Sequence, residues 1–124
     1  MRLISLQIGP GVEQLAEVKK SWSIVDFGPE LDTTAGAFMD TAAIMKGLDL
    51  VITSDTATAH LAGALGVNVW VALPMVPDWR WGLDRDDCPW YPTMRLFRQT
   101  EWGRWVDVFE RMAEELKPLA RRCP

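Results

Sequence analysis

Two short apolar runs, Leu50–Thr53 and Val67–Leu73, frame a helix-length segment and set the strongest pattern in the chain. Both are continuous and rich in branched residues, as strands buried on both faces of a parallel sheet are. Ser54, Asp55 and Thr56 follow the first run as a polar turn. Leu61, Ala64 and Leu65 then recur at helical spacing, with Ala57, Ala62 and Gly63 small enough to seat that helix against a sheet. Gly66 is placed as its C-terminal stop. The stretch reads as strand, turn, helix, stop, strand.

The same patterning extends to both sides. Leu3–Gln7 predicts a strand, broken by Ile8-Gly-Pro-Gly11, and Val12–Lys20 a short helix with Val12, Leu15 and Ala16 inward. Ser23–Phe27 predicts a second strand ended by Gly28-Pro29, and Glu30–Ala37 a loop. A helix is expected over Phe38–Gly47, with Phe38, Ala42 and Met45 on one stripe. Past Leu73 an irregular segment runs through Pro92, carrying Trp79-Arg-Trp81. Met94–Phe97 predicts a last strand, and Trp105–Leu116 an amphipathic helix burying Val106, Phe109, Met112, Ala113 and Leu116. No internal repeat or low-complexity tract is visible.

Strands alternating with helices imply an α/β fold with a mostly parallel sheet. With right-handed crossovers, five strands give a Rossmann-like, doubly wound order 2-1-3-4-5 as the simplest arrangement. The first and third strands are then neighbours, and ligands of such sheets bind beyond their carboxyl ends. Those ends are Gln7–Gly11 and Ser54–Thr58, so the topology is expected to set Gln7 and Gly9 opposite Asp55 and Thr56.

Composition narrows the field. The 124 residues are read as one domain, 48% hydrophobic and 24% charged, ordinary for a globular protein. A net charge of −4 speaks against nucleic acid as the partner. No run approaches the ~20 apolar residues of a transmembrane helix, and the first residues are too polar for a secretory signal. Cys88 and Cys123 form neither a disulfide framework nor a zinc pattern, so a reduced, cytoplasmic setting is expected. Seven tryptophans are unusual, and five of them (Trp79, Trp81, Trp90, Trp102 and Trp105) fall close together. Clustered indoles mark a half-exposed surface suited to association.

The candidate chemistry sits in the central turn. A helix N-terminus offers unpaired N–H groups and the positive end of the dipole to an anion. Asp55 or Thr56 can cap that helix and do nothing more; a phosphate would use the same N–H groups, helped by the Thr56 and Thr58 hydroxyls. His60, the only histidine, lies one turn in and reads either as a satisfied core residue or as charge behind the anion site. Gly9 and Gly11 around Pro10 make a turn that matches neither the dinucleotide fingerprint nor a P-loop. Gln7 can face the crevice and hydrogen-bond a ligand. Asp84-Arg-Asp-Asp87 reads as a solvated loop, so no metal is assigned. Trp79, Trp81, Trp90 and Tyr91 can stack on a base or anchor a neighbouring domain. A flavodoxin-like receiver is disfavoured, because the first strand ends without an acidic cluster.

Asp49–Gly66 with Val69–Pro74, together with Ser5–Gly11, Pro77–Trp81 and Pro89–Gln99, resembles the C-terminal half of the heptosyltransferase-like glycosyltransferases, glycosyltransferase family 9. The likeness is nearest to the branch that follows tetratricopeptide repeats, and its specific part is the Asp-Thr-x-x-x-His element, Asp55 to His60. The resemblance implies one half of a GT-B fold that binds a nucleotide-diphosphate sugar. Asp55, Thr56, Ala57 and Thr58 would meet the donor's diphosphate or sugar, and His60 would support the turn. It implies no metal and no further cofactor, the helix N-terminus stabilising the leaving diphosphate. The acceptor-binding half that carries the general base is not among these residues, and no basic residue stands at Gln7 or Ile8. The expected partners are therefore a nucleotide sugar and a missing N-terminal domain or tetratricopeptide region, with no transfer by the chain alone. The rival expectation is a non-catalytic interaction module pairing through its tryptophan-rich surface. Homodimerisation is compatible with either.

Overall fold

A computed structural model describes residues 1–122, so Cys123 lies outside the described residues. The chain divides into two compact units, Met1–Ile44 and the residues from Met45 onward. In the first, strands β1 (Leu3–Ser5) and β2 (Ile24–Asp26) pair in parallel. Between them a 3-10 turn, Val12–Gln14, runs into the single-turn helix α1 (Leu15–Val18). Helix α2 (Met39–Met45) spans the boundary.

Strand β1 is shorter than expected for a local reason. The Gln7 N–H donates to Ser5 Oγ at 3.3 Å, which turns the backbone out of the ladder after Ser5. Phe38 does not join α2 but precedes it with φ 64°, exposed rather than on the buried stripe. The α2 start is fixed instead by Asp32. Its carboxylate accepts from the Thr41 N–H at 3.0 Å and hydroxyl at 2.6 Å, while Asp40 Oδ2 accepts from the Asp32 N–H at 2.9 Å.

The second unit carries a three-stranded parallel sheet, β3 (Val51–Ser54), β4 (Val69–Leu73) and β5 (Met94–Arg98), in the order β3-β4-β5. All of β4 is buried, as its unbroken apolar run requires. Its Trp70 and Ala72 pack with Phe97 against Val108 and Met112 of helix α4 (Val106–Arg122), flanked by Leu50 and Leu116. Val69, Val71 and Leu73 alternate to the other face, and helix α3 (Ala57–Ala64) packs on β3 and β4 through Ala59, Ala62 and Gly63. The α3 terminus confirms the glycine stop. Gly66 has φ 70°, its N–H bonds the Gly63 carbonyl, and the Val67 N–H reaches back to Ala62.

The α/β class and the parallel pairings hold, but the single five-stranded sheet does not. Strands β1 and β2 form one sheet and β3, β4 and β5 another, with no ladder between β1 and β3. Three residues and a turned-out backbone leave β1 little ladder to offer a second neighbour. The inward stripe of α4 is also narrower than its sequence suggests: Val108 and Met112 are buried, whereas Val106 and Phe109 are 64% and 55% exposed.

A candidate ligand site at the start of helix α3

The β3–α3 connection places an open helix N-terminus at the carboxyl end of a parallel strand. Thr56 takes the N-cap position in an extended conformation, yet its side chain caps nothing. Its Oγ1 lies 3.3 Å from Thr53 Oγ1 instead. The Ala59 N–H bonds the Thr56 carbonyl at 3.0 Å, leaving those of Ala57 and Thr58 without a partner in the helix. Ser54, Asp55, Thr56 and Ala57 are all exposed, and Thr58 is half-buried. Two amide donors and the threonine hydroxyls suit a phosphate, whereas the acceptor-only carboxylate of Asp55 suits a sugar hydroxyl.

His60 is turned toward the protein rather than the turn's open side. Its Nδ1 is 3.1 Å from the Tyr91 hydroxyl. Its ring stacks on Trp81 at 5.2 Å, and Tyr91 meets it edge-on at 5.8 Å. Tyr91 comes this close because residue 63 is glycine: a Cβ there would lie 2.5 Å from the Tyr91 ring. His60, Trp81 and Tyr91 therefore clamp the first turn of α3 to the segment after β4.

That segment is ordered by its own bonds. Asp78 caps the 3-10 turn Trp79–Trp81 by accepting from the Arg80 N–H at 3.1 Å, and the Trp90 indole donates to the Arg80 carbonyl at 3.1 Å. Trp81 is fully buried, which corrects its assignment to the half-exposed surface. Of the five clustered tryptophans, Trp79, Trp90 and Trp102 are the most exposed, at 78%, 58% and 80%. Below the turn, Arg98 Nη2 donates to the carbonyls of Trp81 at 3.3 Å and Arg85 at 3.4 Å. Burial draws the Arg98 guanidinium below its ordinary value, and the Asp84 charge pulls the other way. Gln99 Oε1 accepts from the Met75 N–H at 3.2 Å, tying the ends of β5 and β4 together.

Gln7 sits in an exposed loop of the first unit, its carboxamide donating to the Pro10 carbonyl at 2.8 Å. Gly9 adopts φ 78° in the same loop. The switch-point argument needs β1 and β3 in one ladder, so it no longer joins Gln7 and Gly9 to Asp55 and Thr56. Among the described residues, no three histidine, cysteine or acidic side chains are grouped to hold a metal ion. No helix described is long and apolar enough to cross a membrane. A groove of about 360 Å³ lies between β5 and α4, and both of its arginines are already paired, Arg95 with Glu115 at 2.8 Å and Arg111 with Asp107 at 3.3 Å.

Periodicity gave no reason to single out Arg98, Gln99 or the His60–Tyr91 pair. The small Gly63 beside a distant tyrosine was the one readable trace, and only a structure connects the two.

The chain is 32% identical over 117 residues to Protein FlbA of Caulobacter vibrioides (strain ATCC 19089 / CIP 103742 / CB 15). The match takes in 94% of this chain but only 19% of that relative, so the chain spans about a fifth of it. No protein family and no solved structure matches the chain.

Proposed function

We propose that this chain is the nucleotide-diphosphate-sugar-binding part of a heptosyltransferase-like glycosyltransferase. The observation that carries the reading is the uncapped start of α3, where a threonine in the N-cap position leaves two amides open beside exposed Asp55, Thr56 and Ala57. The likeness of Asp55–His60 to the family's donor-binding element supplies the ligand class. In this reading the Ala57 and Thr58 amides and the Thr56 hydroxyl take the diphosphate, and Asp55 takes a sugar hydroxyl. His60 holds the turn by its contacts with Trp81 and Tyr91. The helix dipole does the work a metal does in other transferases. Transfer itself requires an acceptor-binding half and its general base, supplied by the rest of a longer protein or by a partner, in the cytoplasm.

Titration with nucleotide-diphosphate sugars tests this directly. A ligand that binds only the folded chain adds about 2.7 kcal/mol at a hundred times its Kd, enough to raise Tm by several degrees. Asp55→Ala and His60→Ala are expected to reduce that protection, and its absence with every nucleotide sugar would defeat the reading. The exposed indoles favour a second one, a non-catalytic module that pairs through them. Light scattering decides it: a dimer weakened by Trp102→Ala supports the module, and a monomer at high concentration removes it.

A further inference from the structure

Helix α4 carries more apolar surface than the sheet uses. It meets the sheet through Val108 and Met112, with Leu116 at the margin. A second set, Val106, Phe109, Ala113, Leu116 and Ala120, recurs at alternating steps of three and four residues along the helix. That spacing, about 3.5 residues on average, draws a narrow stripe down one side, the seam by which a helix meets another helix. Val106, Phe109 and Ala113 are exposed, and Leu116 and Ala120 are half-buried. The Trp105 ring, 6.3 Å from that of Phe109, widens the stripe at its start. Pro118, inside the helix, falls on the side opposite the stripe, so its ring stays out of the seam.

The charges beside the stripe select a partner. Glu110 and Lys117 stand seven residues apart, at equivalent positions on one flank. Two copies of α4 laid in the same direction would set that flank against the other one, where Trp105, Met112 and Leu119 offer no charge. Laid antiparallel, like flanks face each other, and Glu110 of each copy meets Lys117 of the other, twice by symmetry. The same register sets Phe109 against Ala120 and Ala113 against Leu116, a larger side chain opposite a small one at each step. Glu110 has no ion-pair partner of its own among the described residues. Lys117 has only its contact with Glu114, between two exposed side chains, which costs little to exchange.

We propose that α4 is an interface for a second copy of this chain, the two helices packing antiparallel along the Val106–Ala120 stripe with Glu110 of each beside Lys117 of the other. This pairing involves α4 alone and needs no ligand at the start of α3. Helices of this length make a small interface, so the two copies associate reversibly.

Sedimentation of the 124-residue chain from about 1 µM to about 1 mM is the test, with a monomer–dimer equilibrium of dissociation constant about 10–100 µM as the expected result. Phe109→Ala removes the largest side chain of the stripe and is expected to weaken the dimer at least about tenfold. Charge reversal tests the orientation. Glu110→Lys and Lys117→Glu each set like charges opposite one another and are expected to weaken the dimer about tenfold, while the double variant returns to within about threefold of the parent. Residues seven apart on one helix do not meet, so only contact between copies lets the two changes cancel. A chain that stays monomeric at about 1 mM overturns the proposal and leaves the stripe to another segment or another protein. A dimer that Trp102→Ala weakens and Phe109→Ala does not is a tryptophan-surface pairing, and overturns it too. A double variant as weak as the single ones rejects the antiparallel arrangement. If Phe109→Ala does not fold, the charge exchange, at exposed positions, decides alone.

Discussion

The two units use the same strand and helix vocabulary but hold it together by different means. In the first, both strands have three residues, and Val18, Trp22, Val25 and Phe27 remain exposed while Leu31 and Thr41 are buried. Its shape is specified by side chains binding nearby backbone: Ser5 to Gln7, Gln7 to Pro10, Asp26 to Gly28, and Asp32 to Thr41. In the second, five-residue β4 is buried end to end, with Trp81, Val69, Val71, Leu73 and Val108 fully enclosed. Local polar bonds fix a conformation but contribute little net stability, whereas buried apolar area carries the cooperative part. The ligand candidates from Asp55 to His60 stand on the second kind of scaffold, and Gln7 and Gly9 on the first.

This contrast can be broken most severely by hydrogen exchange. Amides of Val69, Val71 and Leu73 are expected to exchange only on global opening, while those of β1 and β2 exchange at least about a hundredfold faster. Equal protection in both sheets would mean that the first unit is as firmly held as the second. Urea unfolding gives the next largest effect. Trp81→Ala empties a fully buried position and is expected to cost about 3–5 kcal/mol, against about 0.5 kcal/mol or less for exposed Trp22→Ala.

Glycine substitutions sharpen the same point at smaller scale. Gly63→Ala drives a methyl into Tyr91 and is expected to cost about 1–3 kcal/mol by overpacking. Gly9→Ala meets nothing within 4 Å, so its cost is the left-handed backbone alone, about 1–2 kcal/mol. Tyr91→Ala should relieve the first and leave the second unchanged, as a double-mutant cycle will report.

The smallest effect lies at Asp32. Partial burial raises its pKa, but the Thr41 hydroxyl and amide, with the Asp40 and Phe38 amides, outweigh that and hold it below the ordinary aspartate value. A depressed folded pKa means stability that is present above the unfolded value, near 3.9, and lost as pH falls through the lower folded one. Acid titration of stability should therefore flatten in Thr41→Val, which is less stable than the parent near neutral pH and converges with it in acid.

Legibility in the sequence followed the same division. The β3–α3–β4 stretch could be read because five consecutive apolar residues from Val69 to Leu73 favour a buried strand and Gly66 marks the helix stop. The first unit was less readable. A single serine hydroxyl ends β1 two residues early, and Asp32, not periodicity, decides where α2 begins. The pairing of β1 with β3 was inferred from topology rules, which rank arrangements but say nothing of how few residues a strand offers. In the site, an exposed polar turn was visible, while the burial of Trp81 and the bond of Arg98 to its carbonyl depend on contacts far apart in the chain.

The central claim is that the open start of α3 receives an anionic ligand, and the backbone amides of Ala57 and Thr58 report on it most directly. Their NMR shifts should be followed while a nucleoside diphosphate is added. Saturable movement of both, with His60 following and Asp55→Ala weakening the response, is the expected result. Amides of Ala57 and Thr58 that stay in place through millimolar nucleotide would contradict it.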